Sequence, residues 1–519
     1  MTPAMAALEC GKGVRVPPVH AALSTRPRRP RSACRAAVTA VAAPTPTGDD
    51  WSTSLASRLN ELRGPDSVTD GSGLAGFREV AVEKLQTQRL PTTRDEPFRF
   101  TDVAFLKETQ LVAPPAEPGA VDTEPVAIDG ALEILFVDGK IVASSAAAAG
   151  TAGLSVQMLS EMGDSDTATS VIEMMKEAAI QAEQDAASNT TGPRGKRVVG
   201  SAEEVFASLN AAALRDVVVL MVDEGAQIEQ PVHLVYATSA SNDEGALSLS
   251  APRCVVTVGE GGQMTLVESF VSLDKEWKGT NGGYLCTSVG LVSLADNAKL
   301  DHAIIQTHNK GATDKKAAAG KTVHLRRTQV NQARASSYKV TEADIGASLS
   351  RHDLRIKQLG PETSTQINTF TISGDSQLHD LHSCLVLDHP DGFCEQKHKC
   401  IVSSASGRGV FDGNIQVNKA AQQTDAGQLT RTLLLEPQAT INVRPNLQII
   451  ADNVKCAHGA TVCDLDEEEV FYLMSRGIKR EDARKTLIVS FAADIIKELP
   501  AEDVRERVSS IVRSELADA

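Results

Sequence analysis

Between about residues 216 and 455, short alternating apolar runs are separated by tight polar turns, with no helical stretch between them. The runs include Val217 to Val222, His233 to Tyr236, Val255 to Val258, Met264 to Val267 and Leu291 to Leu294. Gly225, Gly261 and Asn297 recur at intervals of about 36, each shortly after one apolar run and before the next. Strand, turn and strand without crossover helices pair each winding with the following one, so the chain must wind. Two rungs of about 18 residues per interval predict a right-handed parallel β-helix with Val, Ile, Leu and Ala facing inward. Pattern alone leaves an antiparallel sandwich as the alternative. An aromatic content of only 3% suits stacked layers of small and β-branched side chains.

Helical periodicity appears on both sides of this core. Trp51 to Leu62 and Gly73 to Leu90 are spaced as helices, with Phe77, Val80, Ala81 and Leu85 on one stripe. Pro91 and Pro97 break the pattern, and Arg94, Phe98, Arg99 and Phe100 predict an extended segment pinned onto the body of the fold. Asp138-Gly139 predicts a hairpin over Ile134 to Ser144, and a helix is expected from Ser165 to Ala186 in an otherwise Ala- and acid-rich surface insertion. After Asp464 the period is helical again: one helix stopped by Gly477, a second over Arg480 to Leu499, and a third starting at Pro500. Such helices are expected to cap an open solenoid end. The chain thus reads as mainly β, a right-handed parallel β-helix core (206–463) between an N-terminal helical region (49–112), a linker and insertion (113–205) and a C-terminal helical domain (464–519).

Residues 1–48 hold Lys12, Arg15, Arg26, Arg28, Arg29, Arg31 and Arg35 against the single acid Glu9, with no secretory apolar run. That is the composition of an organelle transit peptide, or of a basic tail. The net charge of −15 argues against a nucleic-acid partner, and no apolar run approaches a membrane span. Nine cysteines without any C-x-x-C spacing predict free thiols in a reducing compartment and argue against a closed zinc site.

Cys456 and His458 are two residues apart, so on a strand they share a face and present a thiol and an imidazole together. His379, His382 and Cys384 form a second candidate cluster, although only His382 and Cys384 share strand parity. His389 and His398 flank the turn Pro390-Asp391-Gly392 and read as surface residues. His302, His308, His324 and His352 show no common spacing. Ala317 to Thr322 ends like a phosphate-binding loop, but Lys315 stands where its first glycine must be, so no nucleotide site is expected. Neither a Ser-His-Asp order nor a nucleophile elbow is present. Four tyrosines and two tryptophans make a poor sugar platform for a β-helix polysaccharide lyase.

The runs Val410 to Val417, Gln422 to Ala426, Pro445 to Thr461 and Asp464 to Ile478 together resemble the SufB/SufD family of the SUF iron–sulfur cluster assembly system. The resemblance spans roughly residues 80 to 515. Cys-Ala-His-Gly-Ala-Thr from Cys456 favours the SufD branch, since SufB places a Glu-His-Glu run there. The resemblance implies a non-enzymatic scaffold in the plastid stroma, paired with a SufB-like subunit and carrying a SufC-like ATPase on its C-terminal helices. It implies a transient iron or iron–sulfur cluster at the partner interface, with His458 as iron ligand or proton carrier and Cys456 as a sulfur-side or structural contributor. Cys463 is expected to be packing. A SufB-like primary scaffold and a purely structural β-helix adaptor are the alternatives.

Overall fold

The computed structural model describes residues 48–63, 73–115, 126–144, 151–189, 204–273, 282–309 and 321–516. The transit-peptide region over 1–47, linker residues 116–125 and the phosphate-loop-like residues 317–320 lie outside the described residues.

From Gln263–Ser272 to Lys455–Cys463, consecutive strands alternate between a ten-stranded and an eleven-stranded sheet. Each strand pairs in parallel with the strand two places on: Lys299 lies opposite Gln263 on one side and Ser337 on the other. One interval of the repeat is therefore one circuit of two strands, not two rungs of 18. The reason is strand length: Gln263–Ser272 has 10 residues and Gly283–Leu294 has 12, so two strands fill more than half of the interval and leave no room for a second circuit. Gly225, Gly261 and Asn297 turn the corner in the left-handed region, with φ of 69°, 65° and 60°. Their N–H groups donate to the carbonyls of Glu260, Asp296 and Arg334 in the next circuit. The same corner continues through Ala335, Glu362, Asp391 and Gln423, all at positive φ and all bonded one circuit on.

Inward positions of both sheets form one core, with Leu300, Val340, Ile367, Ile356, Leu385 and Ile415 among its members. At its N-terminal end Phe136, Tyr236 and Phe270 stack at centroid distances of 5.1 and 4.8 Å. Leu132–Val137 and Lys140–Ser144 form the hairpin over Asp138-Gly139, and its first strand joins the ten-stranded sheet beside Val232–Thr238. Leu154–Met158 runs antiparallel to Val218–Val222 at the end of the eleven-stranded sheet. Part of the segment read as a surface insertion, Leu154–Met158, therefore extends the eleven-stranded sheet.

The helices are α1 Asp50–Arg63, α2 Leu74–Thr87, α3 Asp166–Asn189, α4 Val205–Ala213, α5 Glu467–Ser475, α6 Arg480–Ile496 and α7 Glu502–Glu515. Leu59, Leu85 and Leu209 of α1, α2 and α4 pack with Leu247, Leu285 and Leu325 on the outer face of the eleven-stranded sheet. Ile488, Ile495 and Val508 of α6 and α7 pack with Ile305, Phe370 and Ile401 on the outer face of the other. Lys399 Nζ anchors α6 through the Phe491 carbonyl and Asp494, both at 3.0 Å. These C-terminal helices clad a side of the winding rather than its end, because their apolar stripes match an outward row of Ile, Ala and Phe on the sheet. The Leu90–Thr101 segment is pinned as its sequence suggests, but it turns through a short 3-10 helix at Glu96–Phe98 instead of running extended: Arg351 lies 4.1 Å over the Phe98 ring, and Thr101 bonds Asp380.

Candidate functional site

The winding stops at Thr440–Ile449 in one sheet and Lys455–Cys463 in the other, each the terminal strand of its sheet. A terminal strand leaves half its backbone groups without a ladder partner. On Asp425–Leu434, Ala426, Gln428, Thr430 and Thr432 are buried and face inward. Parallel pairing places Cys456 on Ala426 and His458 on Gln428. Register preserves the face, so Cys456 and His458 share one face as alternation predicts, and that face is the inward one. Cys456 is half-buried against the core, while His458 is exposed because no strand lies beyond it. Burial, and then the charge of Asp425, raise the Cys456 thiol, which favours its protonated form. Cys463 is exposed, with Sγ 3.9 Å from the Thr432 carbonyl.

Beneath His458 the inward column is polar. Gln428 Nε2 donates to Gln396 Oε1 at 2.9 Å, and Gln396 Nε2 donates to Ser383 Oγ at 2.7 Å. Gln428 Oε1 is buried without a hydrogen-bond partner, directly under the terminal strand. Gly413 makes room for this amide: a Cβ there would sit 2.3 Å from Gln428 Nε2. His398, read from sequence as a surface residue, is buried in the same sheet. It lies well inside Phe393–Val402, where strand parity, not the nearby turn, sets its direction. Its ring stacks on Phe411 at 4.5 Å, Nδ1 meets Thr369 Oγ1 at 2.9 Å, and burial lowers its pKa to about 3. His389 is half-buried.

His379, His382 and Cys384 are divided by the sheet. His379 faces inward, with Nε2 2.7 Å from the Gly346 carbonyl and Nδ1 3.2 Å from Ser373 Oγ. His382 lies outside between Asp380 at 3.0 Å and Asp412 at 3.5 Å, and Asn414 Nδ2 donates to Cys384 Sγ at 3.7 Å. No three-ligand set forms there. The outward row instead fastens the N-terminal segment: Arg351 and Thr101 meet on Asp380, while Arg444 bridges Asp412 and Glu96. Burial opposes ionisation of Asp380, but Arg351 and His382 hold its pKa down to about 2.

The four histidines without common spacing are all buried and brought together by the winding. His302 bonds Glu268 at 2.8 Å and the Tyr338 hydroxyl at 3.0 Å, and Arg326 pairs with the same Glu268. His352 bonds Glu342 at 2.9 Å and Thr328 at 2.8 Å. His324 bonds Ser288 at 2.9 Å, and His308 lies beside it with ring centroids 5.1 Å apart. The available signal was parity: His302 shares a face with Leu300 and Ile304, both core residues.

Residues 237–491 match the SufBD core domain of the SUF system for iron–sulfur cluster assembly. The chain is 36% identical over 445 residues to Protein ABCI7, chloroplastic, of Arabidopsis thaliana, covering 85% of this chain and 86% of that protein. An iron–sulfur cluster assembly SufBD family protein of Synechocystis is 33% identical over 448 residues, covering 86% of this chain and 92% of the relative. The iron–sulfur cluster assembly protein SufD of Escherichia coli is 28% identical over 432 residues, covering 82% and 89%.

Proposed function

Because the chain belongs to the SufBD family of iron–sulfur cluster assembly proteins, we propose that it is a SufD-type scaffold subunit and not an enzyme. In this reading the winding is a right-handed parallel β-helix whose open end abuts a SufB-type partner. A SufC-type ATPase docks on the C-terminal helical domain, 464–519. The observation that carries the reading is the register that sets Cys456 and His458 on the inward face of the terminal strand. There they meet the partner strand that continues the sheet. His458 binds iron or passes a proton while a cluster, the cargo, forms at the interface, and Cys456 is a sulfur-side or structural contributor. One imidazole and one thiol hold such cargo more loosely than four thiolates do, which suits a scaffold that must release it. The Arg-rich residues 1–48, together with a relative named as chloroplastic, support a transit peptide and a plastid stromal location.

The test is anaerobic cluster reconstitution on the co-purified complex with SufB- and SufC-type subunits, comparing wild type with His458→Ala. The variant complex keeps its subunit stoichiometry while cluster yield falls by roughly 10–100-fold, the scale of losing a metal-site contact. Unchanged yield would make the pair packing and the chain a structural arm for the ATPase.

A further inference from the structure

Inside the winding, away from the open edge, Cys286, His308 and His324 bring one sulfur and two imidazole nitrogens within 4.8 Å of one another. All three are buried, at 0%, 2% and 2% exposure. Cys286 and His324 are directly opposed on Gly283–Leu294 and Thr322–Gln332, neighbours in the eleven-stranded sheet. His308 stands just past Lys299–Gln306, a strand of the ten-stranded sheet. The cluster thus joins two sheets that share no ladder.

His308 is held firmly by its backbone and left open at its ring. Its N–H donates to Gln306 Oε1 at 2.9 Å, and its carbonyl accepts from the Ala347 N–H at 3.0 Å. Gly346 permits this approach, since a Cβ there would lie 2.0 Å from the His308 carbonyl oxygen. Neither ring nitrogen meets a hydrogen-bond partner; the Val271 backbone is near enough to perturb the ring without reaching hydrogen-bond geometry. A fully buried imidazole with both nitrogens unsatisfied calls for a ligand. His324 is oriented by Ser288 at Nε2, the kind of outer hydrogen bond that steadies a metal-bound imidazole. Phe270 and Tyr284 wall the cluster, 4.7 Å from the His324 ring and 5.1 Å from the His308 ring. Asp138 keeps a buried, unpaired Oδ2, and its charge acts on Cys286.

We propose that Cys286, His308 and His324 form a buried structural site for a single borderline-soft divalent cation of the zinc class, which ties the two sheets together across the core. One thiolate and two imidazoles suit such an ion and not Mg²⁺ or Ca²⁺, which take oxygen ligands. With three protein ligands, the fourth tetrahedral position falls to water. Burial lowers both histidines, His308 to about 3, so both rings are neutral and free of competing protons at pH 7. Burial pushes the Cys286 thiol up to about 12; its proton leaves to solvent as the metal–sulfur bond forms. The missing C-x-x-C is no obstacle here, because the ligands are brought together by one circuit of the winding rather than by a short loop.

The test expresses the full chain in minimal medium supplemented with Co²⁺ as the probe, so that the ion is present while the circuit closes. One cobalt per chain is expected, with tetrahedral ligand-field bands and a thiolate-to-cobalt charge-transfer band. Cys286→Ser abolishes the charge-transfer band and reduces bound metal by at least ~10-fold, whereas Cys463→Ser, an exposed cysteine outside both candidate sites, retains both. Should Cys286→Ser fail to fold, His308→Gln takes its place: bound metal is lost while circular dichroism stays that of the wild type. A wild-type chain without cobalt, or a thiolate band that survives Cys286→Ser or His308→Gln, overturns the proposal and leaves the three as packing residues.

Discussion

A histidine's behaviour in this protein depends on whether another circuit lies beyond it. His398 and His458 both point inward, yet His398 is sealed by the Asp425–Leu434 strand and His458 sits on a terminal one. Burial holds His398 at about 3, against about 6.5 in an unfolded chain, with Glu342 pulling the other way. Below pH 6.5 the unfolded state therefore takes up a proton that the folded state refuses. His398 thus lowers stability as pH falls from about 6.5 towards 3, by up to ~1.4 kcal/mol per pH unit. Glu268 and Asp380 are both held at about 2, so their contributions are intact above pH ~4 and are lost as pH falls through 2. Urea midpoints measured from pH 7 to 4 should decline, and His398→Phe should flatten that decline. Gly413→Ala forces a methyl onto the Gln428 amide and the Phe411 ring and should cost ~1–3 kcal/mol in the same assay. Asp380→Ala strands a buried Arg351 and should cost more, ~3–5 kcal/mol.

Among the elements, the helices were the most legible, because a 3.6-residue apolar stripe is local information. α5 begins at the N-cap Asp466, which accepts the Glu468 N–H at 2.8 Å, and ends before Gly477 at φ 89°. The strands were visible as alternation, but the circuit was not. Only the first three corners use Gly or Asn. Asp391 carries the Pro390-Asp391-Gly392 turn signal, but Ala335, Glu362 and Gln423 adopt the left-handed region without any residue signal, each at a cost of ~1–2 kcal/mol, held there by a bond to the next circuit. That support is non-local, so neither the corner column nor the count of strands per interval could be read from composition. α5 itself exposes Phe471 and Tyr472 at 71% and 57%, with Met474 beside them. If the C-terminal helices carry the ATPase, Phe471→Ser combined with Tyr472→Ser should weaken co-purification of the SufC-type subunit by at least tenfold, as loss of aromatic anchors does, while leaving the melting temperature unchanged.

For the whole molecule, the helices at both ends of the chain cover the two outer faces of the winding, and both sheets still end in terminal strands. The pairing of Cys456 with His458 on one face was legible because strand parity is a two-residue rule. The column beneath them was not, since Gln428 and Gln396 reach it only through inter-circuit register. For the buried histidines, strand parity was the local signal of burial, as His302 beside Leu300 and Ile304 shows, and only their grouping, between residues a full circuit apart in sequence, was non-local. On the proposed function, the terminal strands are where a partner continues the sheet. Amide hydrogen exchange over Thr440–Ile449 and Lys455–Cys463, with and without the SufB-type partner, tests this most directly. Protection that rises in these two strands on complex formation is the predicted result; protection confined to the helix-clad faces, with exchange at the terminal strands unchanged, would contradict it.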